Sequence, residues 1–307
     1  MASSSPHEPA PEVVALFGPT ASGKTAVAEH LIAPLHARAI SADSAALYAG
    51  LPVLTAAPPY PTELVGVVPL SDAVSVGGYQ RLAHDAIDRA VAEGKRALVV
   101  GGTGLYLRAA LSELTLAPPP APGERERWET AYRELGPEGA HALLAERDPA
   151  AAARVHANDR KRVVRALELA ASRSSLAPAH DDLWSGEFRR PTLLVALDLP
   201  LEELDRRIEV RTASLAANGA VAEARRAWGR PLSATARKVL GLEAFATLPE
   251  DEAIAAVTTA TKRLARYQRK WLRRLPGVVT LDGSRPVEEI ADEIVTLERA
   301  GQRLPRH

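Results

Sequence analysis

A phosphate-binding loop near the amino terminus constrains this chain more than any other stretch. The apolar run Val13–Phe17 predicts a short buried strand, and GPTASGKT follows it directly, with helix-compatible sequence after that. This is the P-loop pattern G-x-x-x-x-G-K-[ST] in its required strand–loop–helix setting. Glycines let backbone N–H groups turn towards phosphate oxygens, and the helix N-terminus adds partial positive charge. We therefore expect the whole loop to bind phosphate: Gly18, Pro19, Thr20, Ala21, Ser22, Gly23, Lys24 and Thr25.

Two side chains of the loop carry specific chemistry. Lys24 can reach a terminal phosphate, and the Thr25 hydroxyl can ligate Mg²⁺. The loop alone leaves open whether the phosphate belongs to ATP, GTP or another diphosphate.

Composition excludes several classes of protein. The chain has 307 residues, of which 46% are apolar and 25% charged, as expected of a globular protein. Lys+Arg and Asp+Glu number 38 each, so a site for a polyanion must be a local basic patch. The absence of cysteine excludes disulfides and Cys-ligated zinc. No apolar run is long enough to span a membrane, and the first twelve residues lack the features of a signal peptide. We expect a cytoplasmic protein with a disordered tail over residues 1–12.

Further strands predict an α/β fold, a P-loop parallel sheet flanked by helices. Residues 37–42, the run ALVV before GGTGLYL, and residues 191–200 read as strands, while 51–70 reads as a loop and 75–93 as a helix. Ligands bind at the carboxyl ends of parallel strands, which would bring Asp43 and Thr103 beside the P-loop. Asp43 could equally be an ordinary helix N-cap. The strand-associated Asp of a standard ATPase is missing, because Gly-Gly-Thr follows Val100.

The remaining sequence is largely helical. We predict a core over residues 13–115 and 191–307, with a helical insertion or lid over 116–190. The insertion carries four cations within residues 160–165, and residues 261–274 hold seven Lys/Arg in fourteen positions. In the second run, Leu264, Tyr267, Trp271 and Leu275 form one helical stripe. Either run is an anion-binding surface or a solvated helix face, and the second suits nucleic acid.

The motifs together resemble the tRNA dimethylallyltransferase (tRNA isopentenyltransferase) family. They occur in family order: GPTASGKT, SADS with a following LY, LVVGGTGLYL, DPAAAARVHANDRKRVVRALE and KRLARYQRKWLRR. The resemblance implies that the P-loop holds the diphosphate of dimethylallyl diphosphate, with Mg²⁺. It implies transfer of the dimethylallyl group to N6 of adenosine 37, next to the anticodon, in tRNAs that read codons beginning with U. The products are N6-(dimethylallyl)adenosine and diphosphate, and we expect a monomer.

Residue roles also follow from the resemblance. Asp43 matches the family's general base, and Thr103 and Lys24 match its other catalytic positions. Metal binding falls to Thr25. The tRNA contacts carried over are Asp43, Ser44, Ala45, Ala46, Thr103, Arg125, Lys161, Arg162, Val163, Val164 and Arg165.

The chemistry of the reaction agrees with these roles. An exocyclic adenine amine is a poor nucleophile, so a positioned carboxylate helps, by about 10²–10⁴-fold. A departing diphosphate needs charge neutralisation, and a stacked base must be extruded to react.

The sequence departs from the family in three segments: AGLPVLTAAP at 49–58, LVGVVPL at 64–70 and KVLGLEA at 238–244. These departures bear on the tRNA substrate, the shape of the prenyl pocket and the level of activity.

The alternatives are a P-loop nucleotide or metabolite kinase, a non-catalytic RNA-binding relative, and a prenyltransferase acting on free AMP. Tighter binding of ATP than of dimethylallyl diphosphate would indicate the kinase. The basic segment 261–274 counts against a free-nucleotide substrate.

Overall fold

The computed structural model describes residues 10–116, 120–121, 123–176, 183 and 186–300. The chain divides into two compact units, the first formed by Met1–Glu113 with Leu183–His307 and the second by Leu114–Asp182. The segment 183–190, which we predicted to lie in the insertion, therefore belongs with the first unit.

A six-stranded sheet forms the first unit, in the order β3-β2-β4-β1-β5-β6. Every pairing is parallel, which confirms the predicted α/β fold class. All five residues of the central strand are buried on both faces, as its unbroken apolar sequence requires. The strands are β1 (Val13–Phe17), β2 (Ala37–Ser41), β3 (Thr62–Glu63), β4 (Arg96–Gly101), β5 (Thr192–Asp198) and β6 (Val279–Asp282).

Helices cover both faces of this sheet. Those of the first unit are α1 (Lys24–Ile32), α2 (Val76–Ala92), α3 (Gly104–Leu111), α7 (Leu201–Leu215), α8 (Val221–Trp228), α9 (Leu242–Thr247), α10 (Glu250–Leu272) and α11 (Val287–Arg299). A π-helical turn, Ala216–Ala220, joins α7 to α8, and a 3₁₀ turn, Ala236–Lys238, precedes α9. In one apolar core, α1 and α11 pack on β1 and β5 through side chains such as Leu16, Leu31 and Ile294. A second core joins α8, α9 and α10 to the segment around Leu51.

The last residues of the predicted tail, Pro11 and Glu12, pack against the rest of the first unit. Residues 1–9 of the predicted tail lie outside the described residues. Pro11 is buried, and the Glu12 N–H donates to the Pro191 carbonyl at 2.9 Å. The prediction of disorder is therefore wrong for these two residues, because Pro11 is buried and Glu12 bonds to the residue that precedes β5.

Two chain segments of the first unit are held together where the second unit departs. Arg108 Nε donates to the Leu183 carbonyl and Ser112 Oγ to the Glu187 carbonyl, both at 2.8 Å. The Arg189 N–H donates to the Leu111 carbonyl, also at 2.8 Å.

The second unit consists of helices around its own core. Its helices are α4 (Glu124–Arg147), α5 (Pro149–Ala152) and α6 (Arg160–Ala171). Gly136, with φ at 71°, breaks the helical geometry inside α4 directly before Pro137. Trp128, Leu144 and Leu167 are among the side chains buried between these helices. Within the described ranges of both units, no helix is long and apolar enough to cross a membrane.

Candidate active site

The P-loop adopts a tight turn between β1 and α1. Ala21 and Gly23 have φ values of 63° and 93°, and Ala21 is a non-glycine residue in this sparsely populated region. Gly18 cannot carry a side chain, since a Cβ there would lie 2.9 Å from the Leu197 carbonyl oxygen. Lys24 is the first residue of α1, so the free N–H groups of the first helical turn point into the loop. The sequence thus produces the anion-binding conformation locally.

A cleft of about 420 Å³ opens beside the loop. Four parts of the first unit form its walls. They are the phosphate loop, the carboxyl ends of β2 and β4, one face of α7 with part of α10, and the segment between β2 and β3. The lining side chains and backbone include Thr20, Ala21, Ser22, Gly23, Lys24, Thr25, Asp43, Ala46, Thr55, Ala56, Pro58, Tyr60, Gly102, Arg207, Arg211 and Gln268.

Lys24 is the most electrostatically perturbed side chain in the cleft. Its ammonium donates to the Pro19 carbonyl at 2.7 Å. Burial and, to a smaller extent, the positive charge of Arg211 lower its pKa to about 7, against the opposing effect of Asp43. A lysine held in this state gains most from an anionic ligand, which would restore its charge.

Two arginines of α7 join Lys24 in the cleft, and sequence reasoning missed both. Arg211 makes no hydrogen bond to any described residue, and burial lowers its pKa while Asp43 partly restores it. Arg207 lies near the loop and is oriented by hydrogen bonds to Glu203 and to the Gly283 carbonyl. The two arginines are four residues apart, on either side of the buried Ile208, and so share one face of the helix. This spacing is the one feature of the sequence that indicates an inward orientation for both.

Asp43 lines the cleft beside the P-loop and is not a helix N-cap. Its Oδ1 accepts the Ala45 N–H at 2.9 Å, which caps a turn rather than a helix. The other carboxylate oxygen has no hydrogen-bond partner among the described residues, and the side chain lines the cleft. Ser44 and Ala45 are partly exposed in this turn, while Ala46 is buried and lines the cleft.

Thr103 is not part of the cleft lining. The backbone of Gly102 reaches the cleft, and Thr103 follows as the N-cap of α3, without a side-chain capping bond. The structure thus brings Lys24, Thr25 and Asp43 together, with Thr103 one residue beyond the wall.

The basic helix α10 is oriented differently from the predicted stripe. Its buried face carries Ala265 and Gln268, whereas Leu264 and Tyr267 are 37% and 57% exposed. The predicted apolar stripe is therefore wrong for these two residues. The buried face of α10 packs against the backbone of Gly102 and Gly104. The contact is so close that only small or flat side chains of the helix fit there.

Several cations of α10 are engaged within the first unit. Lys262 pairs with Glu209 at 2.6 Å and Arg266 with Asp205 at 2.8 Å, both on α7. Arg269 pairs with Asp198, at the end of β5, at 2.8 Å. The ions of this face therefore dock the helix, and the exposed cations Arg263 and Lys270 flank Tyr267 on the outer face.

The predicted tRNA contacts of the second unit divide into buried and exposed residues. Val163 and Val164 are 0% and 2% exposed in its core, so the prediction that their side chains contact tRNA is wrong. Lys161 is exposed and has no ion pair with any residue that the structure describes.

Arg125 and Arg165 both donate to the buried carboxylate of Glu168. Arg162 contacts Asp159.

Comparisons with known proteins agree with one another. A family model described as IPP transferase matches residues 46–275. The chain is 39% identical over 303 residues to a Kineococcus radiotolerans protein named tRNA dimethylallyltransferase, covering 92% of this chain and 95% of that one.

Solved structures show the same likeness. The full-length tRNA isopentenylpyrophosphate transferase of Bacillus halodurans has a TM-score of 0.67 at 26% identity, covering 94% of this chain and 96% of that one. A eukaryotic dimethylallyltransferase acting on tRNA has a TM-score of 0.75 at 19% identity, covering 96% and 81%, a likeness of fold alone.

Proposed function

Because this chain belongs to the IPP transferase family, we propose that it transfers a dimethylallyl group from dimethylallyl diphosphate to N6 of adenosine 37 in tRNA. It is a tRNA prenyltransferase, related over nearly its full length to tRNA dimethylallyltransferases. The proposal extends this to tRNAs that read codons beginning with U. A cytoplasmic location and a monomeric state go with it.

The donor diphosphate occupies the loop end of the cleft. Free amides at the start of α1, together with Lys24, Arg207 and Arg211, present positive charge there. These cations neutralise the negative charge that develops as the C–O bond to the diphosphate breaks. A kinase would receive no metal ligand from Asp198 at the end of β5, since that carboxylate is paired with Arg269.

Asp43 acts as the general base on the adenine amine. One oxygen caps the turn and fixes the carboxylate, which leaves the other to accept a proton from N6. The flipped adenine then lies against the turn of Ser44, Ala45 and Ala46. Thr103, one residue beyond the cleft wall, contacts the substrate once both substrates are bound.

Mg²⁺ fits the donor set of the loop. The Thr25 hydroxyl makes no hydrogen bond to a described residue and lies in the cleft wall. Among the described residues no cluster of three or more acidic or histidine side chains could hold a metal by itself. This suits Mg²⁺, which binds through one or two protein oxygens and the phosphates of its ligand. Thr25 would hold it, and it would supply further neutralisation of the diphosphate.

The tRNA contacts lie on exposed cations. On α10 these are Arg263 and Lys270 beside Tyr267, whose exposed ring can stack on a base. In the second unit they are Lys161 and Arg162, together with the partly exposed Arg125 and Arg165, which share Glu168.

One observation carries the proposal: a single cleft joins a cationic phosphate loop to a carboxylate with a free oxygen. The test is incubation with unmodified tRNA, Mg²⁺ and labelled dimethylallyl diphosphate, followed by nucleoside analysis. We expect label in N6-(dimethylallyl)adenosine with wild-type tRNA and none with a tRNA that carries guanosine at position 37. Label at another nucleoside, or no label, would contradict the proposal.

Asp43→Asn tests the base. Asparagine keeps an oxygen for the Ala45 N–H but cannot take a proton, so turnover should fall by about 10²–10⁴-fold. Binding of tRNA, measured separately, should change little. A variant with a near-normal rate would remove Asp43 from this role.

A further inference from the structure

Gln268 connects α10 to the phosphate loop through a hydrogen bond. Its Oε1 accepts the Thr20 N–H at 2.8 Å, from a position 248 residues away in sequence. The side chain is 5% exposed and lines the cleft. The loop that binds phosphate is therefore held from outside by one buried carboxamide.

The same carboxamide contacts the turn after β4. A Cβ placed on Gly102 would lie 2.5 Å from Gln268 Nε2 and 2.8 Å from the Gly18 carbonyl oxygen. Gln268 thus fills the space between two glycine turns, one on each of two adjacent strands. This close approach explains why Gly102 carries no side chain.

Trp271 fixes the distance of α10 from that turn. It lies three residues after Gln268 on the same helix face, and a Cβ on Gly104 would lie 2.3 Å from its ring. With Arg269 paired to Asp198 as well, the helix is positioned by three neighbouring side chains.

The bond to Thr20 matters because of where Thr20 lies. The next residue, Ala21, has a left-handed φ of 63°, which an alanine adopts only when its surroundings enforce it. The Thr20 amide would otherwise be a free donor beside the phosphate site. Gln268 therefore has two effects, since it stabilises the strained turn and removes one donor from the loop.

We propose that Gln268 is a positioning residue for the donor site: its carboxamide holds the Thr20 amide, which fixes the loop in its phosphate-binding conformation and removes that amide from the donors available to the diphosphate. This rests on the proposed function, because the bound diphosphate is taken to be that of the prenyl donor. Gln268 acts through the loop and takes no part in proton or prenyl transfer.

Two variants separate the parts of this role. Gln268→Met keeps the length of the side chain but removes the acceptor. Gln268→Glu keeps an acceptor for Thr20 and adds negative charge near the diphosphate. Thr261→Val is the matched control, because Thr261 is buried on the same helix and its hydroxyl donates only to the Val257 carbonyl.

The experiment measures binding of inorganic diphosphate with Mg²⁺ by calorimetry, together with KM for each substrate and kcat. We expect Gln268→Met to weaken diphosphate binding by about three- to tenfold, the net worth of one hydrogen bond. Gln268→Glu should weaken it further, with part of the loss recovered at higher Mg²⁺. In both variants KM for the prenyl donor rises and KM for tRNA stays at the wild-type value, whereas the control changes neither. Melting temperatures show that each variant is folded.

Each other outcome has a definite meaning. A folded Gln268→Met that binds diphosphate within twofold of wild type would overturn the positioning role, as would equal rises in both KM values. Gln268→Glu binding like wild type would show that the side chain is not beside the phosphate. Diphosphate binding by wild type without any prenylated product would overturn the proposed function alone, and no binding at all would overturn both.

Discussion

Binding of the prenyl donor should be coupled to uptake of a proton by Lys24. In the free protein burial and Arg211 lower the pKa of this ammonium to about 7. At pH 8 it is therefore about one-tenth protonated. A diphosphate in contact raises the pKa by about one to three units, as an opposite charge does at this range. Donor binding favours the protonated form, so affinity falls as pH rises through 7 until the pKa of the complex is reached.

These values give the size of the effect. At pH 8 the fraction protonated rises from about one-tenth to between about one-half and almost one, an uptake of about 0.4–0.9 proton. The Tyr60 pKa is raised to about 12, mainly by burial, and the cleft wall contains no histidine. At this pH the phosphates of the ligand are already largely ionised.

Calorimetry in buffers of different ionisation enthalpy measures this uptake directly. The slope of the observed enthalpy against the buffer enthalpy is the number of protons taken up with inorganic diphosphate and Mg²⁺. Lys24→Arg is the control, because a guanidinium is already charged before the ligand binds. The plot of observed enthalpy against buffer enthalpy should therefore have a slope near zero for this variant. A wild-type slope near zero at pH 8, with diphosphate bound, would refute the assignment of a depressed pKa to Lys24.

Three further predictions concern the surroundings of the site. Lys270→Gln should weaken tRNA binding and reduce by about one the slope of log affinity against log salt concentration. Arg269→Gln should leave this slope unchanged and lower the melting temperature, because Asp198 is left unpaired. A slope in filter binding that changed with Arg269→Gln and not with Lys270→Gln would contradict the ion-pair geometry. Glu223→Ala leaves the amides of Val53 and Leu54 without an acceptor. The free energy of unfolding, measured by urea titration, should fall by about 1–3 kcal/mol. A smaller loss would mean that water replaces the carboxylate. Hydrogen bonds from Arg189 and Arg190 lower the Asp88 pKa from 3.8 to about 2, so its contribution to stability is present above pH 3.8 and is lost as pH falls through 2. In Asp88→Asn the free energy of unfolding should therefore fall less steeply with pH over this range. A fall as steep as that of wild type would exclude Asp88 as its source.

Local motifs explain what could be predicted from the sequence. The strand Val13–Phe17, the loop after it and the placement of Asp43 near that loop follow from short-range patterns and from the rule for parallel sheets. The strand β3 could not be predicted, because two residues in a proline-rich segment carry no period. The partly exposed β6 gives no continuous apolar run either.

The missing parts of the site depend on tertiary placement. Arg207 and Arg211 occur in a helix rich in both signs of charge, where an inward arginine looks like a solvated one. In α10 the sequence favours burial of Leu264 and Tyr267, yet Ala265 and Gln268 are buried instead. The reason is the glycine backbone opposite, which no pattern within the helix reveals. Resemblance to a family supplied roles for residues but could not show that Val163 and Val164 lie in a core.

The hydrogen bonds at the departure point of the second unit make the protein modular. Arg108, Ser112 and Arg189 join the two segments through hydrogen bonds that lie within the first unit. The catalytic sheet is therefore closed on itself at the place where the insertion leaves and returns. Because these bonds lie within the first unit, a change in the length of the insertion would leave all three of them in place.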